Sequence, residues 1–134
     1  MKVIIVGCGR TGALTASMLS RAGHSVSVID SNAKAFERLD DDYAGSTVHG
    51  NGIEQATLLA AGVEQADVFV AATSGDNRNI MTTQVAKEIF GVPKVIARIK
   101  DPARASIYEQ MGIQVDCRTL SGVQAILEHL QLPA

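Results

Sequence analysis

The chain has 134 residues, of which 46% are hydrophobic and 19% are charged, with a formal net charge of −2. This length and composition predict one globular domain with a real core and exclude a disordered chain. The slightly acidic charge argues against nucleic-acid binding, which usually needs a basic patch. No apolar run approaches the ~18 residues that cross a bilayer, so no direct membrane insertion is expected.

The remaining broad features favour a cytoplasmic protein with a small ligand or another protein as partner. The first residues enter a strand-like run without a small-residue cleavage site, unlike a secretory signal. Cys8 and Cys117 lie far apart and lack metal-ligand spacing. Neither a disulfide scaffold nor a metal site is therefore predicted.

Short β-branched runs alternate along the chain with segments of helical spacing. The predicted strands are Val3–Val6, Val26–Ile29, Thr47–His49, Val68–Ala71, Val95–Ala97 and Gln114–Cys117. The predicted helices are Gly12–Ala22, Ala35–Asp40, Ile53–Ala61, Asn77–Phe90, Ala103–Met111 and Leu120–Leu130. Four glycines suit left-handed helix C-caps and one proline suits a first helical position: Gly23, Gly62, Gly91, Gly112 and Pro102. The alternation predicts an α/β fold of one domain, with a Rossmann-like, doubly wound, parallel six-stranded sheet in the order 3-2-1-4-5-6.

The junction between the first strand and the first helix is rich in glycine. Gly7, Gly9 and Gly12 have the spacing of a turn that binds a dinucleotide. Gly7 permits the tight turn, Gly9 the close approach of a pyrophosphate, and Gly12 the packing of helix on strand. The free amides and the helix dipole favour an anion there, although glycine-rich turns also form for folding reasons alone.

Asp30 ends the second strand at about the ~20-residue offset expected of a carboxylate that binds ribose hydroxyls. A carboxylate repels the 2′-phosphate of NADP, and the following Ser31–Asn32–Ala33 offers no arginine to neutralise it. We therefore expect NAD(H) or ATP/ADP, with AMP also compatible and NADP disfavoured. We expect the side chain of Lys34 to lie in solvent.

Other candidate contacts follow the third, fourth and fifth strands, because parallel sheets bind ligands beyond their carboxyl ends. Asn51 can recognise adenine or only shape a turn with its glycine neighbours. Between the fourth strand and its helix, the side chains expected opposite the glycine turn are Thr73, Ser74, Asp76 and Asn79, while Ser74 or Asp76 can alternatively cap that helix. Two arginines are placed for ligand or interface contact, Arg10 and Arg98, whereas Arg78 is assigned to the surface.

Possible catalytic groups are few. None of the three histidines, His24, His49 and His129, pairs with a carboxylate at motif spacing. Cys8 is a possible redox-sensitive thiol, but a small residue filling the turn is the favoured interpretation. The sequence therefore predicts no enzyme. The alternative kept open is the NAD-binding part of a dehydrogenase or a free-standing redox sensor.

Six motifs together resemble the N-terminal domain of regulators of potassium conductance (RCK), also called the Trk-type potassium-uptake nicotinamide-binding domain. They are VIIVGCGRTG at 3–12, VID ending at Asp30, GNG at 50–52, VFVAATSGDNRNI at 68–80, VIARIKDP at 95–102 and MGIQVD at 111–116. The resemblance covers essentially the whole chain. In this family an aspartate usually follows the first glycine of the third-strand loop, where this chain has Asn51.

The resemblance implies a nucleotide-sensing regulatory subunit or domain of a potassium channel or transporter in the membrane. It would lie in the cytoplasm, at the inner face of the membrane through its partner, and couple nucleotide occupancy to K⁺ flux. The implied nucleotide-contacting residues are Gly7, Cys8, Gly9, Arg10, Thr11, Gly12, Asp30, Asn51, Gly52, Thr73, Ser74 and Arg98.

The resemblance also bears on the end of the chain. We expect residues 1–134 to form the nucleotide-binding lobe only, without the C-terminal lobe common in the family, and 120–134 to be a terminal or crossover helix. That helix has a broad apolar surface, which predicts a homodimer or ring assembly, against the alternative of docking on its own sheet.

Overall fold

Six parallel strands form one sheet, and the computed structural model describes all of residues 1–134. The strands are β1 (Lys2–Val6), β2 (Ser25–Asp30), β3 (Ser46–His49), β4 (Val68–Ala71), β5 (Lys94–Arg98) and β6 (Gln114–Asp116). Their order is β3-β2-β1-β4-β5-β6, and all neighbouring strands are parallel. The predicted fold class and strand order are confirmed.

The central strands are apolar along their whole length because helices cover both faces of the sheet. Val3 and Ile5 of β1 belong to one buried cluster with Ala13 and Ala16 of the first helix. The alternate residues of β1 belong to a second buried cluster on the opposite face. The carboxyl ends of β1, β2 and β4 are level, since Val6 is in register with both Ile29 of β2 and Ala71 of β4.

The helices are α1 (Arg10–Arg21), α2 (Gln55–Ala60), α3 (Asp76–Gln84), α4 (Pro102–Gln110) and α5 (Arg118–His129). Helix α1 begins before the predicted Gly12 because Ala13 already donates to the carbonyl oxygen of Gly9. A π-helical turn, Val85–Ile89, continues α3 to nearly the predicted end. A short 3₁₀ helix at Val63–Gln65 was not predicted.

The helix predicted at Ala35–Asp40 is wrong in type. The segment is a 3₁₀ helix, Ala33–Arg38, with Asn32 as its N-cap. The amide of Leu39 donates to the carbonyl oxygen of Phe36, three residues back, and Leu39 itself is extended. A six-residue connection offers too few i→i−4 bonds for hydrophobic periodicity to distinguish the two helix types.

The residues predicted to end and to begin helices are found where the sequence places them. Four glycines have positive φ, as a left-handed cap requires: Gly23, Gly62, Gly91 and Gly112. Pro102 begins α4, and the side chain of Asp101 caps that helix by accepting from the amide of Ala103. The four glycines end helices before the next strand enters the sheet, whereas Asp101 and Pro102 start one.

Helix α5 projects from the domain. None of its residues is buried, and Leu120, Val123 and Ile126 are 50% to 60% exposed. The alternative that this helix docks on its own sheet is therefore wrong. None of the helices in the chain is both long and apolar enough to cross a membrane.

Candidate nucleotide-binding cleft

The glycine turn between β1 and α1 has the geometry that its spacing predicts. Gly7 has φ of +105°, its amide donates to Ile29 at 2.8 Å, and an added Cβ would lie 2.8 Å from the carbonyl oxygen of Ala72. A Cβ on Gly12 would overlap the carbonyl oxygen of Gly7. A Cβ on Gly9 would meet nothing within 4 Å. Gly7 and Gly12 thus serve the packing of the turn, whereas Gly9 leaves open space at the start of α1.

Asp30 is held in place at the end of β2 by two backbone amides. Its Oδ2 accepts from the amide of Cys8 at 2.8 Å, and its Oδ1 accepts from the amide of Asn32 at 2.8 Å. Each carboxylate oxygen retains acceptor capacity. No cation pairs with Asp30 within salt-bridge distance. The carboxylate is therefore oriented and available to accept two hydroxyl groups, as a ribose diol would supply.

The loop between β4 and α3 is organised by a buried amide. Asn79 is fully buried, and its Oδ1 accepts from the amide and the hydroxyl of Thr73 at 2.9 and 2.6 Å. Its Nδ2 donates to the carbonyl oxygens of Thr73 and Arg98 at 3.0 and 2.8 Å. One side chain therefore joins the carboxyl ends of β4 and β5.

Neither Ser74 nor Asp76 caps α3, so that alternative is wrong. The N-cap position is Gly75, which has no side chain to donate to or accept from. Asp76 instead accepts from the amides of Lys100 and Asp101 at 2.9 and 3.3 Å. Its carboxylate thus holds the loop that follows β5 against the start of α3.

A cleft of about 290 Å³ lies between these elements, near the lower end of the roughly 300–1,000 Å³ typical of ligand pockets. Eight of the predicted contact residues line it: Gly7, Gly9, Asp30, Asn51, Gly52, Thr73, Ser74 and Arg98. The cleft lies beyond the carboxyl ends of the strands, as predicted for the point where the strand order reverses.

Four predicted contact residues do not line the cleft. Cys8 and Gly12 are buried in the turn, while Arg10 and Thr11 lie in the first turn of α1. Burial, and then the charge of Asp30, raise the pKa of the Cys8 thiol. Cys8 therefore fills the turn and contributes its amide to Asp30, in agreement with the favoured interpretation.

Two arginines that sequence reasoning did not place at the site also line the cleft, Arg38 and Arg78. Arg38 follows Asp30 by eight residues and donates to the carbonyl oxygen of Cys8 at 3.4 Å. Neither arginine forms a salt bridge, so the surface pairing expected for Arg78 is absent. Arg38 was not predicted at the site because it lies eight residues beyond Asp30, and the 3₁₀ helix returns it to the cleft.

The charges of the cleft favour an anionic ligand. Three arginines and one aspartate line it. The Nε atom of Arg98 is buried and has no hydrogen-bond partner. Such a donor is costly unless it is satisfied. No group of three or more His, Cys, Asp or Glu side chains is placed to hold a metal ion.

The sheet order, the glycine turn and the oriented carboxylate at the end of β2 define a Rossmann-like domain of the nucleotide-binding class. Within this class, the model of the TrkA-N domain family matches residues 3–117. The chain belongs to that family. The resemblance to RCK N-terminal domains noted in the sequence is confirmed.

Relatives and solved structures agree with this assignment. The chain is 48% identical over 113 residues to the Trk system potassium uptake protein TrkA of Streptomyces coelicolor, an alignment that covers 84% of this chain and 51% of that protein. It thus spans about half the length of that relative. It is also 34% identical over 111 residues to the TrkA homolog of Pyrococcus abyssi, covering 83% of this chain and 49% of that protein.

Among solved structures, the TrkA-N domain of the Escherichia coli inner membrane protein YbaL aligns with a TM-score of 0.85 at 20% identity, over 96% of both chains. The AMP-bound Kef C-terminal domain of Shewanella denitrificans aligns with a TM-score of 0.80 at 26% identity, over 98% of this chain and 80% of that one. The GsuK channel bound to NAD aligns with a TM-score of 0.70 at 19% identity, over 85% of this chain and 21% of that one, which shows a shared fold.

Proposed function

We propose that the chain is a regulatory domain that binds an adenine nucleotide, NAD(H) or ATP/ADP with AMP also compatible, and couples its occupancy to K⁺ transport. The observation that carries the proposal is the carboxylate of Asp30, which two backbone amides orient toward the cleft beside the glycine turn. The names of the relatives, Trk potassium uptake proteins, and of an AMP-bound neighbour support it.

Asp30 and Arg38 act in opposite directions on a 2′-phosphate. The carboxylate repels it, whereas a guanidinium with no carboxylate partner attracts it. We keep NADP disfavoured because Asp30 is oriented by two amides, whereas Arg38 is exposed and makes one long bond, at 3.4 Å. Arg38 and Ala35 line the cleft together with Asp30, Gly50 and Asn51, and we propose that a base attached to that ribose lies among them.

Regulation requires a nucleotide to bind two conformations unequally, since equal binding shifts no equilibrium. The partner in this proposal is a potassium channel or transporter subunit in the membrane, with the domain on the cytoplasmic side. The exposed apolar surface of α5 would support a homodimer or a ring. Arg10 and Arg98 are the proposed sensors of phosphate number, because charge-assisted contacts distinguish a triphosphate from a diphosphate.

Two of the three histidines make hydrogen bonds, and neither pairs with a carboxylate. Nδ1 of His24 lies 3.1 Å from the N-terminal amine, and Nε2 of His49 lies 3.0 Å from the carbonyl oxygen of Ser31. We therefore propose binding without turnover. Transfer of hydride from bound NADH to an added substrate, followed by nicotinamide absorbance, would contradict this and support the dehydrogenase alternative.

Calorimetric titration of the purified chain with NAD⁺, NADH, ATP, ADP, AMP and NADP⁺ tests the proposal. We expect binding of one or more adenine nucleotides, weaker binding of NADP⁺, and a loss of about tenfold or more in affinity for Asp30→Asn, which removes the charge and replaces one acceptor oxygen with a donor. Asp41→Asn is the matched control, because Asp41 is exposed and outside the cleft. Absence of binding to every nucleotide would refute the proposal.

A further inference from the structure

Helix α5 is tied to the domain through its first residues. Nη2 of Arg118 donates to the hydroxyl of Thr11, a residue 107 positions earlier in the chain. The hydroxyl of Thr119 donates to the carbonyl oxygen of Lys100 at 2.9 Å. The rest of α5 has no buried residue. The guanidinium of Arg118 therefore reaches from the start of α5, next to the edge strand β6, to the N-terminus of α1 beside the glycine turn.

This contact places a cation where the field of the helix opposes it. Thr11 lies in the first turn of α1, whose N-cap, Gly9, makes no side-chain hydrogen bond and whose first turn has no acidic residue. The N-terminus of a helix carries a partial positive charge, so it favours anions and disfavours cations. Arg10 already brings one guanidinium to this turn, and Arg118 brings a second.

The acidic side chain that pairs with Arg118 interacts with it only weakly. Asp116 approaches Nε of Arg118 at 3.6 Å, and both side chains are more than two-fifths exposed to solvent. An exposed pair of this kind contributes little. The Nη2 donor of Arg118 meets a neutral hydroxyl rather than a carboxylate. An anion at the start of α1 would offset the helix dipole and both guanidinium groups at once.

We propose that Arg118 is a ligand for the nucleotide phosphates and that it exchanges the Thr11 hydroxyl for a phosphate oxygen when a nucleotide binds. The inference rests on the proposed function, because it assigns a phosphate contact to Arg118 at the start of α1, where Gly9 lines the cleft and Thr11 and Arg118 lie outside its lining. Arg–phosphate contacts are charge-assisted and often bidentate, so they are stronger than a bond to a neutral hydroxyl. Since Arg118 is the first residue of α5, the exchange shifts the start of the exposed helix when the phosphate arrives.

The test compares adenosine with ADP in calorimetric titrations of the whole chain and of Arg118→Ala. We expect the variant to bind ADP about tenfold more weakly and adenosine unchanged, because adenosine has no phosphate. Arg21→Ala is the matched control: Arg21 ends α1 about 17 Å from its start, pairs with Asp40 at the surface, and its removal leaves both affinities unchanged.

Three results would overturn the inference. An unchanged ADP affinity for Arg118→Ala would remove its phosphate contact. Equal weakening of ADP and adenosine would indicate a structural role for Arg118. Failure of the unmodified chain to bind any adenine nucleotide, NAD(H) included, would instead refute the proposed function, and the inference with it.

Amide hydrogen exchange provides a second, independent readout of the coupling to α5. In the unmodified chain, saturating ADP should change the amide hydrogen-exchange rates of residues 118–122. In Arg118→Ala, saturating ADP should leave those rates unchanged. The same change in both proteins would show that α5 responds by another route. It would overturn the proposal that Arg118 leaves the Thr11 hydroxyl for a phosphate oxygen.

Discussion

Replacing Asn79 by alanine should destabilise the domain strongly, although Asn79 belongs to no catalytic motif. Its side chain makes four hydrogen bonds, with Thr73 and with the carbonyl oxygen of Arg98, and it is fully buried. Leaving a buried polar group without a partner costs about 1–3 kcal/mol. Water entering from the neighbouring cleft would satisfy some of these groups, so we expect a loss of about 3 kcal/mol in all.

The corresponding change in melting temperature follows from the size of the chain. An unfolding entropy of about 2.1 cal/mol/K per residue gives about 0.28 kcal/mol/K for 134 residues, so Tm should fall by about 10 °C. Differential scanning calorimetry measures this directly. Asn77→Ala, at an exposed position that contacts Arg104, should cost less than about 0.5 kcal/mol.

A second substitution separates the two halves of this amide. Asn79→Asp keeps the oxygen that accepts from Thr73 but turns a second oxygen toward the carbonyl groups of Thr73 and Arg98. We expect a loss at least as large as for alanine. If Asn79→Ala lowered Tm no more than Asn77→Ala, the buried amide would not be what joins β4 to β5.

Three further predictions concern the turn, pH and thiol reactivity. Gly12→Ala should lower the free energy of unfolding by about 3 kcal/mol or prevent folding, because its Cβ would overlap the carbonyl oxygen of Gly7. Gly122→Ala is the control, because its Cβ meets open space and should not lower that free energy. Chemical denaturation measures both. Burial, and then the charge of Cys8, raise the pKa of Tyr43 from 10.0 to about 12. The stability that this phenol contributes is therefore complete below pH ~10 and is lost as pH rises to ~12. The loss should be about 1 kcal/mol after allowance for the half-exposed position of Tyr43. Urea titrations at each pH measure it, and Tyr43→Phe should lack it. The Cys8 thiol, buried and with a raised pKa, should react with a disulfide reagent much more slowly in the folded chain than in urea; equal rates would restore the redox-sensor interpretation.

Much of the fold could be predicted because local rules and topology agree in this chain. Apolar runs separated by helical segments require parallel strands, and right-handed crossovers then restrict the strand order. Glycines with positive φ, such as Gly23 and Gly112, end helices through their local backbone conformation, so these ends can be predicted without the fold. The helix at 33–38 was predicted with the wrong type because i→i+3 and i→i+4 bonding differ little in energy over six residues.

The sequence by itself determined the glycine turn and the carboxylate of Asp30, because backbone freedom and strand position belong to single residues and to their spacing. Only the tertiary structure decided which other side chains meet there. Arg38 and Arg78 enter the cleft, Asn79 joins two strands, and Arg118 crosses from α5 to α1. These contacts depend on the rotation of each helix about its axis and on the packing of distant strands, and hydrophobic periodicity specifies neither to the accuracy of a hydrogen bond.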